Sequence, residues 1–141
     1  MSRVEKARAY FREGYACSQA VALAFADIAG IGECELKKIT LPFGGGLGRQ
    51  RLTCGAVSGM CAILGLMLAG EEPTNENKLG MYAMVRDVCD KFKEEHGTLI
   101  CAELLEGKTI SHEPGKPNPC EALVCDAVEI LENYLTQKGV L

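Results

Sequence analysis

The sequence predicts an all-α fold: a single-domain helical bundle of about five to six helices over residues 1–141. Three observations carry this. Apolar residues recur at i, i+3, i+4 and i+7 in several segments. No segment alternates apolar and polar residues as a half-buried strand does. Gly- or Pro-marked connections, most of them short, separate the segments, and no internal repeat occurs.

The elements follow in order. Val4, Ala7 and Phe11 give residues 3–13 a helical stripe that ends at Gly14. Cys17, Ala20, Val21, Ala24, Phe25 and Ile28 give residues 16–29 a second one. A short helix covers 34–39, and Pro42 with the following glycines makes a loop. The next helix spans about 54–69 on its apolar period. A polar turn at 71–78 leads into the longest helix, 76–96, with Tyr82, Val85, Cys89, Phe92 and His96 in step and Gly97 as its stop. Residues 98–105 form a short helix and 119–137 the last one. The long loop between them, 107–119, reads as a crossover or a lid.

Composition narrows the function. The 141 residues carry a formal net charge of −4, with the basic residues scattered. That pattern argues against nucleic acid as a partner and against an anionic membrane surface. The chain has eight cysteines, yet it is long enough to build a core without disulfide staples. It therefore reads as a reduced, cytoplasmic chain rather than a secreted disulfide scaffold. Residues 14–26 end in an A-x-A pattern, but Glu5 and Glu13 precede the apolar run, and Ser18 and Gln19 interrupt it. A core helix fits better than a signal peptide. Residues 52–70 lack charge but contain four glycines and no aromatic anchor. They read as a buried central helix, not a stable membrane span.

Several cysteines fall at helix starts. Cys17 opens the second helix. Thr53 is the expected N-cap before Cys54, and Thr98 the expected N-cap before Cys101. Asn118, Pro119 and Glu121 suit N-cap, N1 and N3 around Cys120. Free N–H groups and the helix dipole there stabilise a thiolate, the form that attacks disulfides and binds metals. All four cysteines also lie on apolar stripes, so they can converge at one end of a bundle. Cys61 and Cys89 sit mid-helix and read as core packing. Cys34 reads as a bystander, and Cys125 is a candidate resolving thiol. Cys54 and Cys61 are seven residues apart on one helix, about 10 Å along its axis, too far for a disulfide. A disulfide or metal site must join different helices.

The stretch FGGGLGRQRLTCGAVSG at 43–59 first suggests a phosphate cradle. No lysine follows the last glycine of the loop, Arg49 replaces the third glycine of G-x-G-x-x-G, and no strand precedes it. Arg49 and Arg51 read instead as loop charge or as a positive field near Cys54. Gly55 and Gly59 permit close helix contact, within the chain or across a homodimer, and would leave the face beside Cys54 open.

Cys17 in CSQAVALAFA, the FGGGLG loop, CGAVSG at 54–59, Cys101 in CAELLEG and Cys120 in PCEALVCDAVEIL together resemble the C_GCAxxG_C_C family of redox-active proteins. The resemblance covers about residues 5–135 and places the family's characteristic cysteines at Cys17, Cys54, Cys101 and Cys120. It implies thiol redox chemistry with a redox partner or small-molecule substrate, naming neither. On this reading Cys54 is the low-pKa nucleophile and Cys17, Cys101 or Cys120 resolves it. A thiol-based oxidoreductase is then one candidate. The same four thiolates would suit an iron–sulfur cluster or zinc, although no CxxC pair occurs. A non-catalytic helical module is the third candidate. His96 suits a helix C-terminus, and His112 in the long loop could reach a metal.

Overall fold

A computed structural model describes residues 1–111, 113 and 116–141. The chain is all-α as predicted: no strand occurs among the described residues, and the helices share one buried core. The helices are α1 (Arg3–Glu13), α2 (Cys17–Leu23), α3 (Glu33–Thr40), α4 (Gly55–Leu68), α5 (Asn75–His96), α6 (Cys101–Leu104) and α7 (Cys120–Gln137). Among the described residues they number seven, slightly above the five to six expected, with α2, α3 and α6 the short ones. Among the described residues no helix is long and apolar enough to cross a membrane, and the uncharged 52–70 segment forms the inner helix α4.

Helix α2 is the centre of the packing and touches α1, α3, α4 and α7. Its small residues allow that many neighbours, since Ala20, Val21 and Ala22 are fully buried. It also buries two polar side chains, both satisfied. Ser18 Oγ donates to the Thr40 carbonyl at 2.7 Å, and Gln19 Nε2 donates to the Lys37 carbonyl at 2.9 Å. These bonds use carbonyls at the end of α3, where a helix leaves acceptors unpaired.

Helix α2 stops at Leu23, earlier than the apolar period to Ile28 implies. The Arg3 guanidinium, reaching over from α1, donates to the Ala24 carbonyl at 2.9 Å. That carbonyl would serve the Ile28 N–H in a continued helix, but Ile28 bonds Phe25 instead. Helix α5 matches its period. Thr74 caps it, accepting from the Asn77 N–H, and Gly97 ends it at φ +84°. Helix α7 buries Val124, Ala127, Val128, Leu131 and Leu135 along one stripe against α1, α2, α4 and α5.

Candidate functional site

The segment before α4 decides the site. After a 3₁₀ turn at Leu41–Phe43, the chain does not continue as a right-handed helix. Gly45, Gly46, Leu47, Gly48 and Arg49 all have φ between +62° and +74°. This is a left-handed turn, closed by the Arg49 N–H on the Gly44 carbonyl and the Leu52 N–H on the Gly46 carbonyl. L-residues in that conformation cost roughly 1–2 kcal/mol each, so the glycines carry most of the turn. Leu47, Arg49 and Arg51 still adopt it, a concentration of strain typical of functional loops. A Cβ on Gly46 would stand 2.7 Å from Cys101 Cβ and 2.7 Å from the Leu52 nitrogen. The glycine there is a close approach to a thiol-bearing residue, not to a phosphate.

The strand-like stretch after the turn pairs with the segment before α6. Thr53 and Ile100 form an isolated antiparallel bridge. The Cys54 N–H donates to the Leu99 carbonyl at 2.8 Å, and the Cys101 N–H to the Leu52 carbonyl at 2.6 Å. Cys54 and Cys101 are thereby fixed on either side of one backbone bridge.

Each predicted cysteine stands at a helix start, within two positions of its expected place. Cys54 is itself the N-cap of α4, and Cys17, Cys101 and Cys120 open α2, α6 and α7. Asn118 keeps a capping role, its Oδ1 accepting from the Cys120 N–H at 2.8 Å. All four line one cavity of about 500 Å³. The other walls are the end of α1, the left-handed turn and the 107–119 loop, through residues such as Phe11, Gly45, Arg49 and Ser111. Arg12 at the rim pairs with Glu121 at 2.7 Å and ties α1 to the start of α7.

The electrostatics differ from the sequence reading. Cys54 is not a low-pKa thiol: burial, then the neighbouring Cys17, pushes it up to about 12. The amides of Ala56 and Val57 oppose that shift, but neither completes a cap hydrogen bond. Cys120 is also pushed up to about 12, by burial and then by Cys17 and Cys101, with Arg51 and Lys108 opposing. Cys17 is raised by burial, against the favourable amides of Gly45 and Ser18. Desolvation outweighs a helix N-terminus here because the thiols are enclosed on several sides. The positive field expected near Cys54 falls instead on Cys101. Arg51 Nη1 donates to Cys101 Sγ at 3.7 Å.

The glycines of α4 do not leave an open face. A Cβ at Gly55 would collide with Cys17 Sγ, and one at Gly59 would stand 2.5 Å from the Ser18 carbonyl. Both serve an intrachain contact of α4 with α2. Cys125 lies outside the cavity walls and faces Arg8, so it is not placed to resolve a disulfide there. Cys34 is exposed, as expected of a bystander. His96 Nε2 lies 2.9 Å from Asp126 Oδ2, and His112 lies outside the described residues. Tetrahedral zinc at 2.3 Å bonds needs sulfurs about 3.8 Å apart. Among the described residues, the set of three His, Cys, Asp or Glu ligand atoms within 4.8 Å of one another is Glu95, His96 and Asp126, so no three of the four sulfurs reach that spacing.

A family model matches residues 15–134, under the description Putative redox-active protein (C_GCAxxG_C_C). The chain belongs to this family. The C_GCAxxG_C_C match takes in all four cavity cysteines and the left-handed turn. No curated protein and no solved structure matches the chain at a significant level. For this C_GCAxxG_C_C chain the sequence reading missed the charge partner of Cys101. The positive φ of Arg51 has no signature in its residue type.

Proposed function

We propose that the cavity performs two-electron thiol–disulfide exchange as an oxidoreductase site. Cys101 is the attacking thiol, and Cys17 resolves the mixed disulfide. The observation that carries this reading is the Arg51 guanidinium on the Cys101 sulfur, inside a cavity that three more thiols line. The guanidinium is placed to hydrogen-bond the attacking sulfur, and a cavity near 500 Å³ suits a small-molecule disulfide.

The electrons balance within the four sulfurs involved. The Cys101 thiolate attacks one sulfur of the substrate disulfide. The S–S bond breaks, and the leaving thiolate takes up the proton that Cys101 gave up. Cys17, close enough to feel the charge of Cys101, then attacks the Cys101 sulfur. The second substrate thiol departs with the proton of Cys17, leaving a Cys17–Cys101 disulfide. Two protein thiols are oxidised and one substrate disulfide is reduced to two thiols. Cys54 and Cys120 stay protonated at neutral pH and form the rest of the wall. The chain builds one buried core without needing disulfide staples, which supports a reducing compartment, the cytoplasm.

Oxidation with a small-molecule disulfide, followed by thiol counting and peptide mapping, tests the scheme. The expected product has lost two thiols and carries a Cys17–Cys101 link. Cys17→Ser should trap the mixed disulfide on Cys101, and Cys101→Ser should abolish it. Trapping at Cys54 in the Cys17→Ser protein would overturn the assignment. A second reading, in which the same four cysteines hold an iron–sulfur cluster, draws on their common cavity. Metal analysis and a visible spectrum of protein purified without oxygen decide between the two.

A further inference from the structure

Two more thiols meet away from the cavity. Cys61 lies on α4 and Cys89 on α5, and these helices pack directly on each other. Cys89 belongs to the buried core and Cys61 packs against that core, and each thiol perturbs the ionisation of the other. Neither lines the cavity of the four family cysteines. Cys61 is half-buried, and Cys89 keeps 8% of its surface exposed. Cys61 holds Cys89 below the ordinary thiol range, against burial, and Lys93 one turn along α5 adds to it. Cys89, and then burial, pushes Cys61 up. Cys89 is therefore the favoured attacking thiol of the two. The reading of both as simple packing residues accounts for their burial but not for their pairing.

We propose that Cys61 and Cys89 are a second redox pair, oxidised by hydrogen peroxide to a disulfide that clamps α5 onto α4. The Cys89 thiolate attacks a peroxide oxygen. The O–O bond breaks, Cys89 becomes a sulfenic acid, and the departing hydroxide becomes water with the proton Cys89 had released. The Cys61 sulfur then attacks Cys89, the S–O bond breaks, and a second water leaves with the Cys61 proton. Two thiols lose two electrons and one peroxide becomes two waters. The clamp falls where it has most effect. Of the 22 residues of α5, those buried are Val88, Cys89 and Phe92, while Leu79 and Tyr82 in its first half are exposed. Cys89 sits inside the short buried stretch of α5, facing α4 where Cys61 lies.

Limited hydrogen peroxide on the full chain, alkylation of the remaining thiols and tryptic mapping test this. The expected product links residues 87–91, which contain Cys89, to residues 52–78, which contain Cys54 and Cys61. The link should persist in Cys54→Ser and vanish in Cys61→Ser. Cys61→Ala replaces the serine variant if the latter loses its helical circular dichroism. Persistence of the link without Cys61, or a Cys89 that stays alkylatable after the cavity thiols have reacted, overturns the proposal. The result does not depend on the exchange scheme for the cavity, because that scheme involves neither of these peptides' Cys61 or Cys89.

Discussion

Replacing Gly46 by alanine tests the left-handed turn and its contact with Cys101 together. The residue has φ +74°, so any Cβ there carries the left-handed penalty of roughly 1–2 kcal/mol. Its Cβ would also stand 2.7 Å from Cys101 Cβ and 2.8 Å from Arg51 Cα. Relieving such an overlap in a packed region costs about 1–3 kcal/mol. The expected loss is therefore about 2–5 kcal/mol, a large part of the roughly 5–15 kcal/mol that stabilises a domain. Gly48→Ala supplies the control, since its φ is +62° and nothing lies within 4 Å of its Cβ. That variant should lose only the roughly 1–2 kcal/mol of backbone strain. The entropy that alanine removes from the unfolded chain is the same for both and cancels in the comparison. Urea denaturation followed by circular dichroism gives the two values. Gly46→Ala should also change the alkylation rate of Cys101, measured by peptide mapping. Equal losses of stability for the two variants would refute the contact with Cys101.

Three more expectations are open to direct measurement. Arg51→Gln removes the charge on the Cys101 sulfur and should slow alkylation of Cys101 at neutral pH about tenfold, the equivalent of roughly 1.5 kcal/mol for a charged hydrogen bond; an unchanged rate would mean that Arg51 does not assist it. The raised thiols predict alkaline lability: Cys54 and Cys120 keep their protons in the fold up to about 12, where the unfolded chain gives them up from 9.0. Their contribution is complete below that lower value and is lost as the pH rises toward the upper one, at most about 1.4 kcal/mol per pH unit for each thiol. Cys54→Ser should show a shallower loss than the parent protein, and identical slopes would count against the buried assignment. Arg12→Met breaks the rim pair with Glu121, but Arg12 is 62% exposed, so stability should scarcely change. A larger fall in denaturation would show that the rim is more enclosed than the structure indicates.

The sequence made some of this legible and hid the rest, for local reasons. Helix α5 was readable because Val85, Cys89 and Phe92 keep a helical period between Thr74 and Gly97, and its caps are in the sequence itself. The placement of Cys17, Cys54, Cys101 and Cys120 at helix starts followed from nearby residues such as Asn118 and came within two positions. The early end of α2 was not readable, because Arg3 on another helix causes it. The ionisation of Cys54 was misjudged for a similar reason. A helix start is a property of the chain, but burial is a property of everything packed around it. The turn at 45–49 has a composition that suits several backbones, and its left hand appears only in the dihedral angles.

The contact between α2 and α4 determines which parts of the site can give way. Cys17 Sγ rests on Gly55, the Ser18 backbone rests on Gly59, and Gln19 and Ser18 hold α2 to the end of α3. That side is a fixed anvil with no slack for a sulfur to advance. Joining Cys17 to Cys101, as the proposed exchange requires, would then draw the opposite wall inward: the four-residue α6 beside the start of α7. The redox state of the sulfurs would thus be written as a displacement of the rim formed by Cys101 and Cys120. A partner touching only the outer surface at that rim could distinguish the reduced form from the oxidised one.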